Sequence, residues 1–305
     1  MIGKICGTGS GIPVKIMDND DLSNMVDTND AWIRERTGVE KRHIAESEST
    51  VSMAVEAGRQ ALAQTGIRPE ELDMIVVSTM SPDAVLPCTA CEVQKAIGAE
   101  GAVCFDLQAA CTGFIFAYNT AQAYIQSNMC RTVLLIGSER LSRLVDWTDR
   151  GTCILFGDGA GAAVLKAAEG RAYLPVSHSD GKKGEALTCD RYIHMDGRAV
   201  FQFAVTRVPE VIREVLTKNE LLMDDIDYFV LHQANRRIVE AVAKRLRQPI
   251  EKFPMNLQEY GNTSSASIPI LLDEMNRSGK LKKGQKLVVA GFGAGLSWGA
   301  SIVEW

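Results

Sequence analysis

The 305-residue chain is 46% hydrophobic and carries 33 lysines and arginines against 38 aspartates and glutamates, a formal net charge of −5 at pH 7. That balance argues against nucleic acid as a partner, which needs basic surface, and no apolar run approaches the ~20 residues of a membrane-spanning helix. The length allows one large domain or two intimate ones with an ample core.

The N-terminus, MIGKICGTGSGIP, reads as a short strand and turn. It has no charged segment followed by a long apolar one, so a cytoplasmic location is expected. There the eight cysteines, most of them inside apolar strands or helices, stay reduced. Strands are predicted at 72–78, 103–107, 132–137, 160–165, 228–232, 286–290 and 300–303, with helices such as 51–65 and 234–246 between them. This alternation specifies an α/β fold with mixed sheets covered on both faces. The predicted helix 112–125 is unusual, because Phe114, Ile115, Phe116, Tyr118 and Ile125 point in every direction around it. A helix with no polar face must be buried. SSASIPILLDEM, from Ser264, opens with small residues that let another helix come close. Two buried helices between two sheets imply five layers, α-β-α-β-α.

The chain also repeats itself. DLQAACTG at 106–113 parallels NLQEYGNT at 256–263, the Leu-Gln pair recurring after 150 residues. ALAQTGIRPEELDMIVV from Ala61 aligns with VLTKNELLMDDIDYFVL from Val215, and TVLLIG around Leu134 aligns with KLVVAG around Val288; both offsets are 154 residues. No linker separates the halves, so 1–165 and 166–305 are expected to be fused and pseudo-symmetric. Cys111 and Asn262 then fall at nearly the same point of each half, each after a strand and at the opening of a helix. This arrangement predicts one active site built between the halves.

Cys111 begins a helix, where the dipole and free N–H groups favour a thiolate. The Thr-Gly that follows lets a substrate approach the backbone. The remaining cysteines read as small buried hydrophobes. Cys88 and Cys91 form a CxxC without the second pair that zinc needs, and no metal site is expected. His232 directly follows the strand DYFVL, at the edge where α/β sites assemble, whereas His43, His178 and His194 read as structural or surface residues. Asn262, in GNTSSAS, is open between a turn residue and a catalytic amide. GFGAG at 291–295 has only ten residues after it, too few to complete a dinucleotide-binding unit. A tight glycine turn there can instead aim a backbone N–H at a reacting carbonyl.

Taken in order, the motifs AACTGF around Cys111, DRGTCILFGDGAGAAVL from Asp149, HMDGRAVFQFAV from His194, HQANRRI from His232, GNTSSASIP from Gly261 and GFGAGLSWGA from Gly291 resemble one family. It is the β-ketoacyl-acyl carrier protein synthase III family of the thiolase superfamily, and the resemblance spans essentially the whole chain. It implies a thiolase-like five-layered αβαβα fold made of two pseudo-symmetric fused halves, and a condensing acyltransferase that starts type II fatty-acid synthesis. By that resemblance Cys111 takes an acyl group from acyl-coenzyme A. His232 and Asn262 then hold the thioester oxygen of malonyl-acyl carrier protein as carbon dioxide leaves. Backbone N–H groups of Cys111 and Ala294 form the oxyanion hole.

The resemblance extends to the binding surfaces. Trp32, Arg36 and Arg150 match positions that hold the coenzyme A head, and Met195 and Gly197 match the pantetheine tunnel. Gln233, Ala234, Asn235, Arg236 and Arg237 open a helix that also carries Lys244 and Arg245, with Arg247 beyond, and an acidic carrier protein is expected to dock there. Leu86 stands where the family often has a Phe that reaches the acyl pocket of the neighbouring subunit in a homodimer. That departure leaves primer length and branching open. No cofactor is implied, since coenzyme A arrives as a substrate thioester. Two other readings stand beside this one: a sister enzyme with the same triad that condenses a different starter for polyketide or quinolone-type products, and a silent homologue that binds carrier protein as a scaffold. The complete triad argues against the second.

Overall fold

The structure, a computed structural model, describes residues 1–305. Its apolar runs form two sheets. The first has the strand order Ile2–Gly11, Gly159–Ala168, Thr132–Glu139, Met74–Ser78, Val103–Leu107. Its last three strands are parallel and the other pairings antiparallel. The second has the order Tyr228–Leu231, Lys286–Gly293, Ser297–Glu304, Val176–Ser179, with only the first pair parallel. Strands buried on both faces read as continuous apolar runs, which is why MIVVS and TVLLIG were legible and the polar edge strand VSHS at Val176–Ser179 was not.

Three hydrophobic clusters define the layers. Helix Thr50–Ala63, opened by a capping box in which Ser49 accepts from the Ser52 N–H, lays Met53, Ala54, Ala57 and Ala61 on the outer face of the first sheet. Helices Gly197–Lys218 and Arg236–Leu246 cover the outer face of the second. Between the sheets lie Gly113–Gln126 and Ser267–Arg277, whose Phe114, Ile115, Ile268 and Leu271 share one cluster with Val76, Val230 and Val289. The fold is the thiolase-like five-layered α/β architecture. The central helices approach the sheets closely because glycine allows it: a Cβ on Gly137 would lie 2.5 Å from the Ser265 carbonyl oxygen.

Through their central parts the halves share one sequence offset. Met74, Gly113 and Thr132 each begin an element, and so do Tyr228, Ser267 and Lys286, 154 residues later. Strand Val103–Leu107 of the first sheet has no counterpart in the second. The segment FPMNLQ aligns with VCFDLQ of strand Val103–Leu107, but Pro254 lacks the N–H a ladder requires, and a turn and the short helix Leu257–Tyr260 stand there instead. The 154-residue offset also corrects the expected pairing. Cys111 sits in a tight turn, Ala110–Thr112, whose equivalent is Ser264–Ala266, so the structural counterpart of Cys111 is Ser265 and not Asn262.

Candidate active site

Cys111 is positioned by a strained turn. Ala110, before it, has a φ of 45°, a left-handed conformation that costs a non-glycine residue about 1 kcal/mol or more. Cys111 is thereby lifted to the junction of strand Val103–Leu107 and helix Gly113–Gln126, facing the second half. Opposite it no side chain could stand at Gly293, where a Cβ would lie 2.9 Å from the Cys111 nitrogen and 3.0 Å from its Cβ. Cys111 and Ala294 both line the same cavity, and the Ala294 N–H donates to no backbone carbonyl of the chain. Ser297 Oγ lies 2.7 Å from Thr112 Oγ1 and 3.1 Å from the Ala294 carbonyl oxygen, tying the two N–H-bearing turns together.

Burial decides the protonation state. It pushes the Cys111 thiol up to about 12; the Ser264 hydroxyl beside it pulls the other way, and the Glu139 carboxyl adds to the rise. The resting sulfur is a thiol at neutral pH. Desolvation opposes the thiolate that the helix start was expected to favour. Glu139 is itself fully buried. It accepts from Ser81 Oγ at 2.6 Å, Ser265 Oγ at 2.8 Å, the Met80 N–H at 3.1 Å and Thr79 Oγ1 at 3.3 Å, and burial raises its pKa. This carboxyl clamps the Thr79–Ser81 loop to the second-half turn beneath Cys111.

His232 comes from the end of strand Tyr228–Leu231, its N–H bonded to the Ala290 carbonyl. Its ring is 2% exposed, stands edge-on to Phe292 with centroids 5.6 Å apart, and places Nδ1 2.8 Å from Ser267 Oγ. Burial lowers its pKa to about 3, so the imidazole is neutral. Nδ1 is engaged, which leaves Nε2 for the cavity.

Asn262 is both a turn residue and an aimed amide. Its Oδ1 accepts the Ser264 N–H at 2.8 Å, an Asx turn, which leaves the Nδ2 donors without a partner in the chain. Its backbone bridges to Phe156: the Asn262 N–H donates to the Leu155 carbonyl at 2.8 Å and its own carbonyl accepts the Gly157 N–H at 3.0 Å. Behind this bridge the buried Arg42 donates to the Ile154 carbonyl, the Met17 carbonyl and Asn19 Oδ1. The first half therefore holds the second-half amide in place.

Cys111, His232 and Asn262 line one cavity of about 490 Å³, whose walls include Met80, Leu141, Phe156, Leu187 and Met195. Trp32, Arg36 and Gly197 lie along it as well. The Arg36 and Arg150 guanidinium carbons stand 5.0 and 4.8 Å from the Trp32 ring centroid, and Arg150 also donates to the Asp27 carbonyl. Arg150 is exposed beside Gly151, a lining residue.

The sequence profile of 3-oxoacyl-[acyl-carrier-protein (ACP)] synthase III matches residues 105–181, and the profile of its C-terminal region matches 216–305. A β-ketoacyl-[acyl-carrier-protein] synthase III of Clostridium novyi is 47% identical over 99% of this chain and 98% of its own length. The chain belongs to the 3-oxoacyl-[acyl-carrier-protein] synthase III family. Among solved structures, the family member from Aquifex aeolicus VF5 superposes with a TM-score of 0.97 at 44% identity, covering 99% of this chain and all of that one. The priming β-ketosynthase of the R1128 polyketide pathway reaches 0.95 at 36%, covering 99% and 96%. Members of this synthase III family are condensing acyltransferases, and this chain is one.

The geometry corrects part of the expected carrier-protein surface of this synthase. Gln233 is buried, donates to the Leu231 and Pro254 carbonyls and accepts the Asn256 N–H, so it is internal and cannot meet a partner. Asn235 is the N-cap of helix Arg236–Leu246, accepting from the Arg237 N–H and donating to the Arg36 carbonyl. Arg236 packs over Gly38 and donates to its carbonyl. Ala234, Asn235 and Arg237 line the cavity, Arg237 exposed with its guanidinium over Phe201. Leu86 is 82% exposed and does not line its own chain's cavity. Sequence reasoning missed Glu139 and Ser267. The acid ending the apolar run TVLLIGSE was a signal for the first, and the small-residue run GNTSSAS held the second without marking it.

Proposed function

We propose that this synthase primes type II fatty-acid synthesis, with Cys111, His232 and Asn262 dividing two half-reactions between them. In the first, Cys111 Sγ attacks the thioester carbon of an acyl-coenzyme A, and the Cys111 and Ala294 N–H groups hold the tetrahedral oxyanion. The new sulfur–acyl bond forms, the old one breaks, and the thiol proton ends on the coenzyme A sulfur. In the second, malonyl-acyl carrier protein places its thioester oxygen between His232 Nε2 and Asn262 Nδ2. The carbon–carboxylate bond breaks, carbon dioxide leaves, and the electron pair passes to an enolate held by these two donors. The enolate carbon attacks the acyl-Cys111 carbonyl, the 3-oxoacyl-carrier protein departs, and the cysteine regains a proton. A neutral amide suits this position, because a carboxylate would repel the developing charge. Coenzyme A is a substrate here, and no cofactor takes part.

Trp32, Arg36 and Arg150 are assigned to the coenzyme A head, indole against adenine and guanidinium against phosphate. The guanidinium groups now over the indole must shift for adenine to stack. Met195 and Gly197 are assigned to the pantetheine path. Ala234 and Arg237, with exposed Lys244 and Arg247, are assigned to an acidic carrier protein. The enzyme is a cytoplasmic homodimer in this reading. The dimer is supported by exposed Val85, Leu86 and Val103 near an edge strand, Val103–Leu107, that is free on one side.

The carrying observation is that Cys111, the Ala294 turn with its unpartnered N–H, the His232 ring and the free amide of Asn262 all meet in one cavity. Incubation with malonyl-carrier protein and a panel of straight and branched acyl-coenzyme A primers tests it. A 3-oxoacyl-carrier protein with one equivalent of carbon dioxide is expected; protein that binds carrier but is never acylated on Cys111 contradicts it.

A further inference from the structure

His232 has a second-half neighbour whose single proton settles the chemistry of the ring. Ser267 Oγ accepts the Gln233 N–H at 3.3 Å and lies 2.8 Å from His232 Nδ1. No carbonyl or carboxylate of the chain accepts from the Ser267 hydroxyl, although residues one turn earlier on a helix are the usual takers. The hydroxyl thus has one nearby acceptor, Nδ1, and the Gln233 N–H already fills an oxygen lone pair. The alternative, with Nδ1–H donating to Ser267, leaves a buried hydroxyl proton with no partner, a cost of roughly 1–3 kcal/mol. The ring is closely packed: Phe292 stands edge-on to it, and a Cβ on Gly291 would lie 3.3 Å from the His232 Cβ.

We propose that Ser267 is a positioning residue that holds His232 as the Nε2–H tautomer. This rests on the reading of His232 as a donor to the malonyl thioester oxygen, and deepens it: Nε2 enters the site already bearing the proton that hydrogen bond needs. It also means that Nε2 offers no lone pair to the Cys111 thiol in the resting enzyme. His232 is then an electrophilic donor, and its orientation and tautomer are set by a hydroxyl where other enzymes use a carboxylate or carbonyl.

The test uses the full-length protein with 15N-labelled histidine. The chain has four histidines, and the His232 signals are identified by their absence from His232→Gln. In the wild type, Nε2 should show a directly bonded proton and Nδ1 the 15N shift of a hydrogen-bonded acceptor. In Ser267→Ala, Nδ1 should move toward the shift of a free acceptor or become partly protonated, while the other three histidines stay in place. Condensation kcat should fall about fivefold to tenfold, the usual effect of one lost hydrogen bond, with KM for malonyl-carrier protein nearly unchanged. Ser267→Thr should restore both the shift and the rate. A wild-type Nδ1–H signal overturns the proposal, and so does an Nδ1 shift that Ser267→Ala leaves unmoved. Because the spectrum is read without substrate, a protein that shows the expected tautomer yet fails to condense would count against the proposed reaction and not against Ser267.

Discussion

Ala110 and Ser264, 154 residues apart, adopt the same left-handed backbone, with φ of 45° and 49°. Each precedes the residue that turns a tight bend into a central helix, Cys111 in one half and Ser265 in the other. The duplicated fold therefore keeps its strained elbow twice but arms it once. In the second half the elbow carries a serine that donates to Glu139, and the amide that enters the cavity, Asn262, comes from three residues upstream.

If the elbow is what presents Cys111, its backbone tolerates glycine and rejects a branched side chain. Ala110→Gly is expected to stay within about 1 kcal/mol of wild-type stability, since relief of strain offsets added chain entropy. Ala110→Val should lose about 2 kcal/mol or more, because β-branched residues fit φ > 0 worst. Thermal or denaturant unfolding of both variants decides it, and an Ala110→Val protein as stable as the wild type would refute the strained-elbow account.

Cys111 reactivity should report the buried thiol. The thiolate is the attacking species, and burial holds the group near 12, above the ordinary ~8.5 of a free cysteine. Raising the pH therefore increases the thiolate fraction. Alkylation by iodoacetamide should accelerate about tenfold per pH unit from 7 to 10 without levelling. A plateau below about pH 9 would show that the helix start outweighs desolvation after all.

Much of this site could be read from the sequence, and the reasons are physical. A helix apolar on every side can only be central, which placed 112–125 between the sheets, and a cysteine at its head had to face the opposite half. His232 was legible because strand ends build α/β sites. The boundary of what patterns reveal is seen at Gln233. A polar residue in a basic, helix-opening motif looks like surface, yet its amide is spent on the Leu231 and Pro254 carbonyls inside the protein. Glu139 shows the same limit, since a carboxyl buried among three hydroxyls and one N–H leaves no pairing signal along the chain. The Leu-Gln repeat at an offset of 150 suggested that Asn262 mirrors Cys111, although the flanking repeats already ran at 154, and the three-dimensional turns show that 154 holds at Cys111 as well.

Leu86 is predicted to act in the partner subunit's acyl pocket. Replacing the family's common Phe by a smaller residue leaves room there, and each methylene buried in an apolar pocket contributes about 0.8 kcal/mol. Primers of roughly four to five carbons should be used at least as well as acetyl. Leu86→Phe should shift preference toward acetyl in competition assays. An unchanged primer profile means that Leu86 does not shape the pocket.

Arg237 separates the two half-reactions from outside. It is exposed at the cavity and close to the exposed cations of its helix. Arg237→Glu should reduce kcat/KM for malonyl-carrier protein by about tenfold or more through lost attraction, while acylation by acetyl-coenzyme A stays nearly intact. Equal losses in both half-reactions would mean that the patch is only a solvated basic face.

The division of labour within the triad is the central claim, and carbon dioxide release from malonyl-carrier protein measures it most directly. Cys111→Ala should lose covalent acylation, seen by mass spectrometry, yet still decarboxylate, since both enolate donors remain. Asn262→Ala should acylate normally while decarboxylation falls by about 10²–10³-fold, the usual effect of removing one oxyanion-type donor. An Asn262→Ala enzyme that releases carbon dioxide at the wild-type rate would leave Asn262 as nothing more than the Asx turn before Ser264, and the mechanism would be wrong.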